Sequence, residues 1–98
     1  MSKGVYLIKC PYSNIDMLKI GFSNNIEKRI KQHKTSNILI EPIGFIETDD
    51  YKELEKDIHY KCRKHRYNLE FFFCKDVILD LFKKHPNFIK LWVNQKRK

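Results

Sequence analysis

Three side chains near the front of the chain stand out by type: Tyr6 in "GVYLIKC", then Lys19 and Arg29 in "LKIGFSNNIEKRIKQH". A phenol, an ammonium and a guanidinium are groups that meet an anion, and the packing of a hairpin against a helix requires none of them. A second constellation lies further on. Glu55 and His59 stand four apart in "KELEKDIHYK", a spacing that places both on one helical stripe. The charge balance points the same way: Lys and Arg outnumber Asp and Glu by 20 to 12, leaving +8 with the histidines neutral. Such an excess favours polyanions and, more weakly, anionic membrane surfaces, so nucleic acid is the expected partner. The excess is mostly lysine spread along the chain, and a merely solvated lysine surface is the competing reading.

Other chemistries fit less well. Cys10, Cys62 and Cys74 are odd in number, scattered and never form CxxC, so they read as reduced thiols rather than a disulfide framework. Cys62 and His65 form a Cys-x2-His pair near His59, but no second ligand pair with structural-zinc spacing accompanies it. The start "MSKGVYLIK" lacks the apolar run of a secretory signal, and no stretch approaches the ~20 apolar residues that cross a bilayer. The expected setting is therefore intracellular, in cytoplasm or nucleus, with no membrane partner.

The elements that must position these groups follow from apolar spacing. The run around Val5–Ile8 and the run Met17–Gly21, separated by the turn-prone "PYSNID", read as a hairpin. "SNN" then supplies capping side chains, with Asn24 and Glu27 at capping-box spacing. Ile26 and Ile30 mark the buried stripe of a first helix whose outer face shows Lys28, Lys31 and Lys34. "ILIEPIGFIE" is a third strand, made an edge or bulged strand by Pro42. Asp50 and Glu53 open a second helix carrying Tyr51, Leu54, Ile58 and Cys62 at three- and four-residue intervals. "LEFFFC" is a short, fully apolar strand or extended segment. "KDVILDLFKKHPNFIKLWVN" reads as helical with a break near Pro86, and "QKRK" as a fraying tail. The sum is a single α+β domain over residues 1–98: a small three-stranded, mainly antiparallel sheet flanked by helices, in the order β-β-α-β-α with a C-terminal helical extension over 76–95.

That order, with "GVY" on the first strand, "KIG" on the second and "EKRIKQH" on the first helix, resembles the GIY-YIG nuclease superfamily. The similarity is greatest to its phage-type branch, with "EKDIH" and "LEFFF" as the later motifs. The resemblance covers about three quarters of the chain. It implies a phosphate-facing hydroxyl at Tyr6, an arginine clamp at Arg29, a histidine one turn further at His33, and a metal-binding glutamate at Glu55. The second motif's tyrosine is replaced by Lys19, followed by Gly21, where the backbone can pass close to the site. One Mg²⁺ or Mn²⁺ held by Glu55 would act as Lewis acid, since carboxylate oxygen suits hard cations. Tyr6 would serve as general base once cationic neighbours lowered its pKa, with Lys19 supplying that field or itself accepting the proton. Glu70, just before the phenylalanines, is a lesser acidic candidate.

The resemblance thus implies a metal-dependent endonuclease that hydrolyses DNA. Lys28, Lys31, Lys34, His59, Arg63 and Arg66 would track the nucleic-acid backbone. A binding module without hydrolysis, and a structure-specific or RNA-directed nuclease acting on branched DNA or RNA, are the alternatives. Targeting would come from modest sequence preference, a homodimer or a partner protein. The Ile, Asn and Lys richness fits an AT-rich viral or phage-like genome.

Overall fold

The computed structural model describes residues 1–91. The tail "QKRK" and the end of the expected helical extension lie outside the described residues. The hairpin extends further than the two apolar runs alone suggest. β1 (Gly4–Tyr12) pairs antiparallel with β2 (Ile15–Ser23) across a two-residue turn, with Ser13 held at φ 57 in the left-handed region. α1 (Ile26–Ser36) follows, then β3 (Glu41–Glu47), α2 (Tyr51–Lys61), a 3-10 turn (Arg63–His65), β4 (Arg66–Asn68), β5 (Phe71–Phe73), α3 (Asp76–Lys83) and β6 (Phe88–Lys90).

The expected three-stranded sheet is corrected to a six-stranded antiparallel one, ordered β4-β5-β2-β1-β3-β6. The fold remains α+β. The three additional strands are three residues long, too short for an alternation pattern to declare them. β6 replaces the second half of the expected C-terminal helix. Helix α3 stops at Lys83, and after Pro86 the chain turns back so that Phe88, Ile89 and Lys90 pair with Ile46, Phe45 and Gly44. Gly44 permits this return, because a Cβ there would lie less than 3 Å from the Phe88 ring and from the Ile89 carbonyl oxygen. β3 is therefore an interior strand. Pro42 is accommodated by a bulge: the register with β1 slips between Leu7 and Ile8, leaving Ile43 without an opposite residue.

The two helix starts also differ in detail from the capping pattern. The α1 cap is Asn25, whose Oδ1 accepts from the Lys28 amide at 3.1 Å. Glu27 instead holds Ser2, accepting from its amide at 2.9 Å and its hydroxyl at 2.6 Å, and these bonds lower the carboxyl pKa to about 2. Asp50 makes no side-chain cap bond at the start of α2.

Strand alternation divides the core between the two faces of the sheet. Tyr6, Ile8, Cys10 and Phe45 pack with Ile26 and Ile40 on the α1 side. Val5, Leu7, Leu18, Ile20, Ile46 and Phe72 pack with Ile58, Ile78 and Phe82 on the side of α2 and α3. β1 is buried on both faces, which is why it reads as a nearly unbroken apolar run. A polar atom on so enclosed a strand must find a partner, and Tyr6 carries one.

Candidate active site

Tyr6 lies on β1 opposite Gly21 of β2 and Phe45 of β3, with only 1% of its surface exposed. Gly21 is the feature that opens the site. A Cβ there would come within 3 Å of both the Tyr6 hydroxyl and Oε1 of Glu70. The missing side chain leaves a notch in which a phenol and a carboxylate share one small space. From the α1 side, Nε2 of His33 reaches the Tyr6 hydroxyl at 3.1 Å, the rings tilted at 59°. Arg29, one turn earlier, is exposed and donates to Gln32 Oε1 at 3.4 Å.

The other wall comes from α2, around the open end of the sheet. β5 pairs with β2 only at Met17–Lys19, and its last ladder contact is the Ile20 amide to the Glu70 carbonyl at 3.0 Å. The next acceptor on that edge is the Ile20 carbonyl, and Nε2 of His59 takes it at 3.0 Å. A carbonyl can only accept, so this nitrogen carries hydrogen and also serves Glu55 Oε2 at 3.1 Å. With its ring edge-on to Phe72 at 4.9 Å, His59 fixes Glu55 rather than facing outward. Glu55 is thus anchored on α2, and Glu70 is carried by the β4–β5 hairpin.

The electrostatics bind these groups into one unit. Burial raises the Tyr6 pKa; Arg29 opposes the rise, and the charges of Glu70 and Glu55 add to it. Tyr6 is therefore a neutral phenol at pH 7. Burial, then Lys19 and Arg29, push His33 down to about 4. A neutral His33 accepts the phenol's hydrogen in the tautomer with its own hydrogen on Nδ1. Burial raises the Glu55 carboxyl, Glu70 raises it further, and His59 and Arg66 oppose. Two acids near enough to repel define a place for positive charge.

His33 gives a direct check. Its ring resonance is expected to titrate near pH 4 in the folded protein, against about 6.5 for an ordinary histidine. Between those values the unfolded chain binds the extra proton. The His33 contribution to the unfolding free energy should fall as pH drops from about 6.5 to about 4 and level off below, and the difference between the wild type and the His33→Gln variant isolates it from the loss that Glu27 adds at lower pH. Proton NMR and urea titrations measure the two halves.

The remaining residues singled out by sequence divide clearly. Lys19 bears on His33 and Cys10 through its charge, and its Nζ stands 5.5 Å from the Phe71 ring centroid, so its field enters the site through the histidine. Lys28, Lys31 and Lys34 are exposed on α1. Arg63 stacks on Tyr60 at 4.0 Å and faces solvent. Arg66 donates from Nε to the Leu69 carbonyl at 2.7 Å, bracing the turn that delivers Glu70, where Leu69 adopts φ 50. The structure places the Glu70 carboxylate beside the Tyr6 hydroxyl at Gly21. The signal lay in the short β4–β5 return, which its three-residue strands conceal. A cavity of 570 Å³ between β3 and α3 contains none of these groups. Its size gives it no claim over the notch, where phenol, imidazole and carboxylate meet.

Comparison with known proteins places the chain. The profile of the T5orf172 domain matches residues 3–96, a span that includes every strand and helix described. The chain belongs to the T5orf172 domain family. T5orf172 is a nuclease-like domain of phage and viral type. A viral relative, "Uncharacterized protein 460R" of Invertebrate iridescent virus 6, is 34% identical over 80 residues, which are 78% of this chain and 36% of the relative. The chain therefore spans about a third of the length of that curated protein. No solved structure matches it. Among the described residues, no helix is long and apolar enough to cross a membrane.

Proposed function

We propose that this T5orf172 domain hydrolyses DNA phosphodiesters through a GIY-YIG-type site. The observation that carries the reading is the notch at Gly21, where the Tyr6 hydroxyl, held by His33, meets Glu70 with Arg29 and Glu55 acting on the same phenol. Phosphodiester hydrolysis needs this mixture, since the transition state gathers negative charge on phosphorus oxygens while water must lose a proton.

A single divalent cation fits the donor set. Glu55 and Glu70 offer hard oxygen atoms, and their mutual repulsion is what a cation relieves. Among the described residues, no group of three or more His, Cys, Asp or Glu side chains could hold a metal by itself. Mg²⁺ and Mn²⁺ take water and substrate oxygens as ligands beside protein carboxylates. When bound, the ion would supply Lewis-acid stabilisation of the charge leaving with the 3′ oxygen.

The chain's own groups perform the rest. Arg29 clamps a non-bridging phosphate oxygen with its planar fork. A neutral Tyr6 can accept water's proton only by passing its own to His33 Nε2 as the water oxygen bonds to phosphorus. The P–O3′ bond breaks, and the leaving oxygen takes a proton from solvent. The anionic phosphate offsets the fields of Arg29 and Lys19 that depress His33, so substrate binding itself raises the basicity of the final acceptor. Lys28, Lys31 and Lys34, exposed along α1, then hold the flanking backbone.

The test is conversion of supercoiled plasmid to nicked and linear forms at a stated salt concentration. Mn²⁺ or Mg²⁺ should support it, chelator should stop it, and Arg29→Ala should reduce it strongly. A wild type that binds DNA without nicking under any of these metals overturns hydrolysis in favour of a binding module.

A further inference from the structure

A second cavity, 260 Å³ in volume, adjoins the notch and shares His33 with it. Ile8, Cys10, Tyr12 and Phe71 form its apolar walls, with Lys19 and His33 at its polar side. Sites for drug-sized ligands run from about 300 to 1,000 Å³. This one has room for a single heterocycle and not for a base pair.

We propose that this pocket takes one unpaired nucleobase of the strand being cut, so that the substrate is DNA with a bulge, flap or other unpaired nucleotide beside the scissile phosphate. The inference rests on the nuclease reading and names the substrate class of that site. Three observations commit the pocket to this occupant. First, His33 belongs both to the pocket and to the Tyr6 pair, so a ring seated there lies next to the phenol of the notch. Second, aromatic faces continue outward from the pocket wall. Tyr12 stands 5.7 Å from Tyr67, and Tyr67 stands 5.6 Å from Phe73, all three exposed by 38% or more. Neighbouring exposed aromatic rings accept successive bases of an unpaired strand. Third, an apolar slot with an ammonium and an imidazole at its edge suits the ring nitrogens and exocyclic oxygens of a base, while an aliphatic ligand would leave both unanswered. The net charge of +8 selects a ligand carried on phosphates.

The test is binding in chelator, so that no cutting intervenes, using duplexes with a fluorescent purine analogue either paired, bulged by one nucleotide, or replaced by an abasic bulge. The purine bulge should bind about 5- to 100-fold tighter than the paired duplex, the range that base–aromatic stacking gives, and its fluorescence should be quenched. The abasic bulge should lose that advantage, as should Tyr12→Ala and, in a wall less exposed, Phe71→Leu. Arg29→Ala should weaken all three duplexes alike. Equal affinity for paired and bulged duplexes overturns the proposal, as does an advantage that survives the abasic change or both wall substitutions. Displacement of the bulge by adenosine monophosphate at equal concentration would assign the pocket to free nucleotides, also overturning it. Cleavage of the same duplexes with Mn²⁺ separates the two readings. Purine-bulge preference without cutting sinks hydrolysis and leaves the pocket; cutting without preference does the reverse.

Discussion

Tyr6→Phe is expected to slow metal-dependent nicking about 10²- to 10⁴-fold, the range that a positioned proton-transfer group contributes. The substitution keeps the ring in the core of the α1 face and removes only the hydroxyl, whose partner is His33 Nε2 at 3.1 Å. Lost stability should be about 1 kcal/mol, the net worth of one hydrogen bond, so the variant stays folded and its DNA affinity in chelator is unchanged. His33→Gln should slow the reaction comparably. The informative measurement is the double variant in single-turnover nicking. If water's proton travels through Tyr6 to His33, either break interrupts the same path, and Tyr6→Phe/His33→Gln is no slower than Tyr6→Phe alone. Multiplicative losses would mean that the two act separately and would remove the relay.

How much of this was visible in the chain depends on the length over which each signal repeats. The β1–β2 hairpin, α1, β3 and α2 are each long enough to declare themselves, the strands by apolar runs and the helices by three- to four-residue spacing, and the Pro42 bulge is announced by the proline itself. Three-residue strands show no period, and β6 was concealed because "NFIKLWV" is as apolar as the helix before Pro86. Capping was ambiguous for a different reason. "SNN" offers three adjacent caps, and the partner that claims Glu27 is Ser2, 25 residues away. The same contrast runs through the site. Tyr6, Arg29, His33 and Glu55 could be named from spacing and resemblance; the structure joins Tyr6 to His33, and the charges of Arg29 and Glu55 bear on the same phenol. Glu70 enters only through the turn at Leu69, braced by Arg66 from across the hairpin. Lys19 follows Tyr6 by its place in the motif, and its charge bears on His33.

Glu55→Gln should lower nicking at least about a thousandfold, corresponding to the several kcal/mol that a metal ion contributes to stabilising transition-state charge. The isosteric amide still offers an oxygen to the His59 Nε2–H, so the α2 wall and its bond to the Ile20 carbonyl remain in place. It also removes a charge that burial and Glu70 already disfavour, so folding stability should not fall. DNA affinity in chelator should hold or increase, because one anion near the phosphate is gone. Activity, stability and affinity thus move in different directions, which a general loss of structure cannot imitate. Glu70→Gln separates one carboxylate from two. If both acids hold the ion, this variant loses activity as well and needs more Mn²⁺ for half-maximal nicking, whereas a bystander Glu70 would leave the metal dependence where it was. Nicking at the wild-type rate by both variants would leave the notch without an acid for its cation, and the hydrolytic reading would fall with it.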